Sequence, residues 1–542
     1  MTARVLAVWL DSAEPTLTQE MMAAGEMPTL AALRARGAWG HLRAGRYAVP
    51  EIAYGQVITG QSPQRTGAWN VARFDAQRYT HTNDQRLAYN GVAPFFALGD
   101  SMRIGVFDVP QVAPHSDVDG IQLLAWGAHS PCLSLCAEPP KLLHEVLARF
   151  GEHPARPGDD YAVMTNPASL VDLLRRILAG LDVRARVTSH LIERESWDLF
   201  ITAFGELHAG GHYFWPHPAC AEIQASVGGP EAMRKIYRAA DEVLGRILHA
   251  AGPQAHCVVF TPVGMQPNIA DLPAGALLPE LMFRYSFPGC VGLDFDDPTR
   301  GPSEESLAGI QDWVMETWHT RRRITPTGAW LFRHLPTRWA LGLAARLGSG
   351  VPLTHPSELD FWEFQPVRWY ERFWPCMKAF ALLTNSDGFV RLNVRGRDAR
   401  GVVEPADFMR TSDEITELLM DLRIPESGAR AVSEVVRVRD TFDASPAPLA
   451  HDADLAVVWN TDLRQSLLSP RFGKLGPLPM LRAGAHSTAG FLCAAGSGIA
   501  PGSHLAEGTP LDIAPTVLDL LGVRHSLPGH CHLPDLKALR VA

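Results

Sequence analysis

Trp197 to Trp215 reads WDLFITAFGELHAGGHYFW, and this stretch decides the fold. It opens as an apolar run with strand character, Leu199 to Phe204. It then breaks into a polar, glycine-containing segment holding Glu206, His208 and His212. A buried strand that delivers one carboxylate and two imidazoles at its carboxyl end is how open α/β sheets build their sites. His208 and His212 are four apart, so a helical turn puts them on one face, where they can grip a single metal ion. The chain has 21 histidines, and roughly 0.8 such pairs arise by chance at that frequency. The spacing alone is therefore worth little. Its position directly behind a strand, with an acid two residues upstream, is what sets a metal-binding pair apart from a structural one, and on the residues alone both readings stand.

Working outward, Val5 to Leu10 predicts a buried strand ending at Asp11, and Pro28 to Arg36 a helix with proline at its first position. Further helices are expected over Ile52–Ile58, Ser169–Arg194, Ala232–Ala251 and Asp512–Leu521. Strands are expected at Ile104–Val109, Cys257–Phe260, Ala456–Trp459 and Gly490–Ala495. Strands alternating with helices imply a mainly parallel sheet covered on both faces. Residues 303 to 372 are rich in Trp, Arg and Pro and show no strand pattern. Phe389 to Val403, FVRLNVRGRDARGVV, alternates and then turns at glycines, which suits a hairpin. The layout expected is 1–300 as the first part of an α/β core, 301–375 as a helical insertion or cap, and 376–542 as the hairpin and the rest of the core.

At 542 residues, 46% hydrophobic and 20% charged, the composition is that of a globular chain able to bury a large core. A net charge of −9 leaves no basic footprint for nucleic acid. The eight cysteines form no CxxC pair, and several sit in apolar runs, as in HCVVF and GFLCAAG, which reads as a reducing, cytoplasmic setting. The first residues, MTARVLAVWLD, start a strand with no signal-peptide pattern. No run approaches 18 apolar residues, so no membrane partner is expected.

Five segments, in order, resemble the alkaline phosphatase superfamily in its type I phosphodiesterase/nucleotide pyrophosphatase branch. They are LDSAEP with MPTLAALRARGAWGHLR; VITGQSPQRTG; WDLFITAFGELHAGGHYFW; the FVRLNVRGRDARGVV segment; and RAGAHSTAGFLCAAGSGI followed by DIAPTVLDLLGV. The resemblance implies an alkaline-phosphatase-like α/β fold and a metal-dependent hydrolase acting on a small phosphate ester or phosphodiester. It implies that His208, in the place of an aspartate, joins His212 and His486 around one divalent ion. A three-histidine set suits zinc. Asp11 matches the first aspartate of a second site.

The sequence departs from the family at two places. Where an Asp-His pair is expected for the second ion, the chain has Pro262 and Val263, neither of which can bind a metal. Where a Ser or Thr nucleophile is expected, it has Pro50 flanked by Val49 and Glu51. Glu51, at a helix start, is open to three uses: metal ligand, general base or carboxylate nucleophile. It is equally open to being an N-terminal carboxylate without catalytic duty. Glu206 is a candidate acid/base or an orienting partner for an imidazole. His129, Asp108 and Asn393 are candidates for substrate binding. Two rivals to hydrolysis remain: a specialised group-transfer or biosynthetic enzyme on this fold, and a catalytically inactive relative.

Overall fold

The computed structural model describes residues 3–45, 50–70, 72–82, 86–127, 133–155, 162–295, 313–359, 362–385, 387–439, 442, 452–461, 465–531 and 533. Its centre is a nine-stranded sheet. The middle five strands are parallel: His256–Thr261, Ala3–Trp9, Trp197–Ala203, Gly99–Phe107 and Val118–Leu124, side by side in that order. Ala489–Ala495 joins antiparallel beside His256–Thr261 and carries Ala38–Arg43 and then Ser503–His504 to one edge. Cys136–Glu138 closes the other edge, antiparallel to Val118–Leu124. The chain is thus an α/β protein with a mainly parallel central sheet flanked by helices.

The alternation of side chains along a strand explains why both faces are covered. In Ala3–Trp9, Leu6 and Val8 enter one buried cluster, while Val5, Ala7 and Trp9 enter the other. The first cluster is roofed by the long helices Pro167–Glu193 and Pro230–Ala251. The second is roofed by Pro50–Thr59 and Ile513–Leu521. A strand apolar on both faces can sit only in such a sandwich, which is the continuous hydrophobic run seen in the sequence.

Two expectations need correction. Phe389–Val403 is not a hairpin. Only Gly388–Leu392 is strand, and it pairs with Ala379–Ala381 and Leu455–Trp459 rather than with its own continuation. The Asn393 carbonyl accepts from both Val402 and Val403 N–H, which folds the glycine-rich piece into a closed loop. Asp398 and Asp454 gather Arg391 and Arg397 inside it. Likewise Leu455–Trp459 belongs not to the central sheet but to a separate four-stranded antiparallel sheet with Ala379–Ala381, Gly388–Leu392 and Val432–Arg437. Both errors have one cause: alternation identifies a strand but not its partner. Between the two sheets in sequence, the described residues carry the helices Trp313–His319, Pro326–His334 and Thr337–Arg346.

Candidate metal centre

The central strand Ala3–Trp9 and its neighbour Trp197–Ala203 both end at one edge of the sheet, tied there by the Phe204 N–H donating to the Trp9 carbonyl at 2.8 Å. Behind the first come Asp11 and Ser12. Behind the second, Gly205–Phe214 winds into a helix whose ten residues are all buried. His208 and His212 lie on one face of this helix, their Nε2 atoms 3.1 Å apart. The third imidazole comes from the far end of the chain. Gly484–Ser487 forms a two-stranded antiparallel ribbon with Gly264–Pro267, and His486 lies opposite Met265 in it.

Two glycines let this ribbon close on the helix. A Cβ on Gly484 would fall 2.0 Å from the Gly211 carbonyl oxygen, and one on Gly211 would strike the Met265 side chain at 2.8 Å. The result is that one ring-nitrogen donor from each of His208, His212 and His486 lies within 4.8 Å of the others, all three residues buried. Among the described residues this is the one cluster of three or more His, Cys, Asp or Glu with that geometry.

The hydrogen bonds fix which nitrogens point inward. His212 Nδ1–H donates to the Gly484 carbonyl at 2.9 Å, which leaves its Nε2 lone pair facing His208. Burial first, and then the positive charge of Arg482, push the His212 pKa well below the usual imidazole range, so the ring is neutral at pH 7 and its Nε2 is an acceptor. Arg482 reaches the same Nε2 at 2.9 Å and is held by Asp271 at 2.5 Å. His208 turns its Nδ1 to Asp11, whose Oδ2 lies 3.3 Å away. Asp11 thus sets a carboxylate oxygen against the second nitrogen of His208 at ion-pair distance, without a hydrogen bond to it. It does not join the cluster as a ligand of its own.

Sequence reading missed two hydroxyls here. Tyr54, from the helix Pro50–Thr59, donates to Asp11 Oδ1 at 2.6 Å and lies 3.3 Å from His208 Nδ1. Ser12 Oγ lies 3.2 Å from His486 Nδ1 and 3.5 Å from His208 Nδ1. Ser12 is held at φ +64°, a left-handed conformation unusual for serine and one that marks stored strain. The strained turn straight after a strand was the available signal for Ser12. For Tyr54 there was none, because its site lies four residues into a helix and across the sheet.

The donor set fits a divalent ion. Asp11 Oδ2 is buried without a hydrogen bond, a costly state for a carboxylate unless positive charge faces it. Three imidazole donors beside it are a tetrahedral-site ligand set with one position to spare.

The other candidates fall elsewhere. Glu206, on the same helix, points both oxygens at Arg184 Nε, at 2.8 and 2.9 Å, and accepts from His153 at 2.9 Å. Desolvation raises its pKa, but the charge of Arg184 and the bond to His153 outweigh it and hold the carboxyl at about 2. Asp108 binds the same guanidinium at 2.7 Å and accepts from the Trp126 and Gly127 N–H groups. Both acids therefore serve a wholly buried arginine network rather than a proton-transfer or substrate role. Asn393 is fully buried, accepting from Tyr79 Oη and donating to the Trp374 and Met377 carbonyls, so both its amide hydrogens are spent inside the fold. Glu51 is the second residue of the helix Pro50–Thr59, and its side chain lies outside the described residues. His129 lies outside them altogether. At the expected second site, Pro262 and Val263 follow the strand, the Val263 carbonyl accepting from Thr261 Oγ1 at 2.5 Å.

No family model matches the chain, and no curated protein matches it in sequence. Solved structures do. The chain is similar to human ectonucleotide pyrophosphatase/phosphodiesterase 5 at 10% identity, with 99% of each chain covered and a TM-score of 0.45. It is similar to a multiply substituted variant of the alkaline phosphatase PafA at 10% identity, 98% coverage of each chain and a TM-score of 0.44. It is similar to the phosphonoacetate hydrolase of Sinorhizobium meliloti 1021, solved with phosphonoformate, at 12% identity, 96% coverage of each chain and a TM-score of 0.42.

Proposed function

We propose that the protein is a metal-dependent hydrolase of a phosphate ester or phosphodiester, working with one ion, most suitably zinc, held by His208, His212 and His486. The observation that carries this reading is the meeting of three buried imidazoles from two distant parts of the chain within 4.8 Å. When bound, a divalent ion supplies Lewis acidity to a phosphoryl oxygen and to a water. The chain's own residues do the rest. Asp11 lies against His208 Nδ1, which leaves Nε2 turned to the cluster, and Tyr54 fixes Asp11. Arg482, at the edge of the cluster, offers a guanidinium to an anionic oxygen. Ser12 Oγ, between His208 and His486, is placed to give or take a proton at an attacking oxygen. The small phosphate-containing substrate and a cytoplasmic setting belong to the same reading. Elemental analysis of purified protein should find close to one equivalent of divalent metal, and a nitrophenyl phosphodiester should be cleaved slowly. The His208→Ala/His212→Ala variant should lose both; metal content unchanged in that variant would remove the site.

A second reading keeps the ion but replaces hydrolysis by a specialised group transfer. It is favoured by the closure of the site: His208, His212 and His486 are 3%, 1% and 7% exposed, which leaves little room for bulk water. Firm metal binding without turnover of generic phosphoesters would select it.

A further inference from the structure

The histidine centre leaves the arginine- and tryptophan-rich stretch between Glu316 and Glu358 without a task. That stretch contains six arginines and no aspartate or glutamate, in a chain of net charge −9. Two short helices in it, Pro326–His334 and Thr337–Arg346, bury Gly328 and Leu331, and Ala340, Leu341 and Ala344. Their other sides are apolar as well. Trp330 is 54% exposed, Trp339 73%, Leu347 54% and the preceding Ile324 37%. These are four of the seven large hydrophobic side chains exposed among the described residues, gathered within 24 positions, and they include both exposed tryptophans. Arginines share these outward faces at helical spacing: Trp330 with Arg333, and Trp339 with Arg346. Arg322 is paired with Asp294, whereas Arg323, Arg333 and Arg346 form no ion pair among the described residues.

We propose that this helical pair is a docking surface for an anionic lipid membrane. Indole rings settle at the boundary between headgroups and acyl chains, because one end is apolar and the other polar. Arginine stems lie along that boundary and lift their charge to the phosphates. Each basic residue near an anionic leaflet adds about 1 kcal/mol of attraction. A face that combines aromatic and aliphatic side chains with positive charge fits this surface. A nucleic acid would use the arginines and the indoles but not Ile324 or Leu347. No described helix is long and apolar enough to cross a membrane, so contact is with the surface.

The test is sedimentation of the whole chain with vesicles at low salt. It should pellet with phosphatidylcholine vesicles containing phosphatidylserine and stay in solution with phosphatidylcholine alone. Trp330→Ser/Trp339→Ser should weaken binding by about tenfold or more, and Arg333→Glu/Arg346→Glu should abolish it. Both variants should keep the metal content of the parent, since neither touches the histidines. Three results would overturn the proposal: no pelleting at any phosphatidylserine content; binding to a single-stranded oligonucleotide in place of vesicles; or a self-associated parent that the tryptophan variant merely dissociates.

Discussion

At the scale of single residues, the centre depends on what stands behind the ligands as much as on the ligands. Asp11 faces His208 Nδ1 and takes the Tyr54 hydroxyl. Asp11→Asn keeps the shape and removes the charge. It should weaken zinc affinity about 10- to 100-fold, measured by chelator competition, with the fold intact; an unchanged affinity would mean that Asp11 has no part in the site. The spacing of His208 and His212 behind a strand makes that pair legible, whereas His486, 274 positions on, is reached only through the family resemblance. Tyr54 and Arg482 act through contacts that cross the fold, and nothing local announces them. Glu206 shows the converse. Its place two residues before a ligand suggested chemistry, but a helix turns about 100° per residue, and its carboxylate meets Arg184 and His153 instead.

At the scale of elements, the site exists because a ribbon can touch a helix backbone to backbone. Gly484→Ala puts a methyl 2.0 Å from the Gly211 carbonyl and 2.8 Å from Trp215 Cβ. Since neither neighbour is the end of a flexible side chain, the ribbon must shift, and His486 travels with it. The expected cost is about 1–3 kcal/mol of stability, read from denaturant midpoints, together with weakened metal binding. A variant with parental metal affinity would show that the ribbon has slack. Helix and strand positions were largely legible: the Ser169–Arg194 pattern is the helix Pro167–Glu193, and Cys257–Phe260 is the strand His256–Thr261. Partnership was not, which is why the four-stranded antiparallel sheet came as a surprise.

At the scale of the whole molecule, a buried charge network underpins the sheet. Glu206, held at about 2 against an ordinary 4.5, contributes stability that is complete above the ordinary value and is lost as pH falls through the lower one. Its size is on the order of 3 kcal/mol. Replacing it by glutamine leaves Arg184 half paired in the interior. The gap in unfolding free energy between parent and Glu206→Gln should therefore be widest near pH 7 and narrow below about pH 4.5, as measured by denaturant titration at a series of pH values. A gap constant with pH would show that folding does not shift the Glu206 pKa. The second and third histidines of the cluster stand 274 positions apart, so a ribosome must release more than half the polypeptide between them. On the proposed reading ion capture is then a late event, and a clasp closed last by its cation would join the early and late halves of the nascent protein.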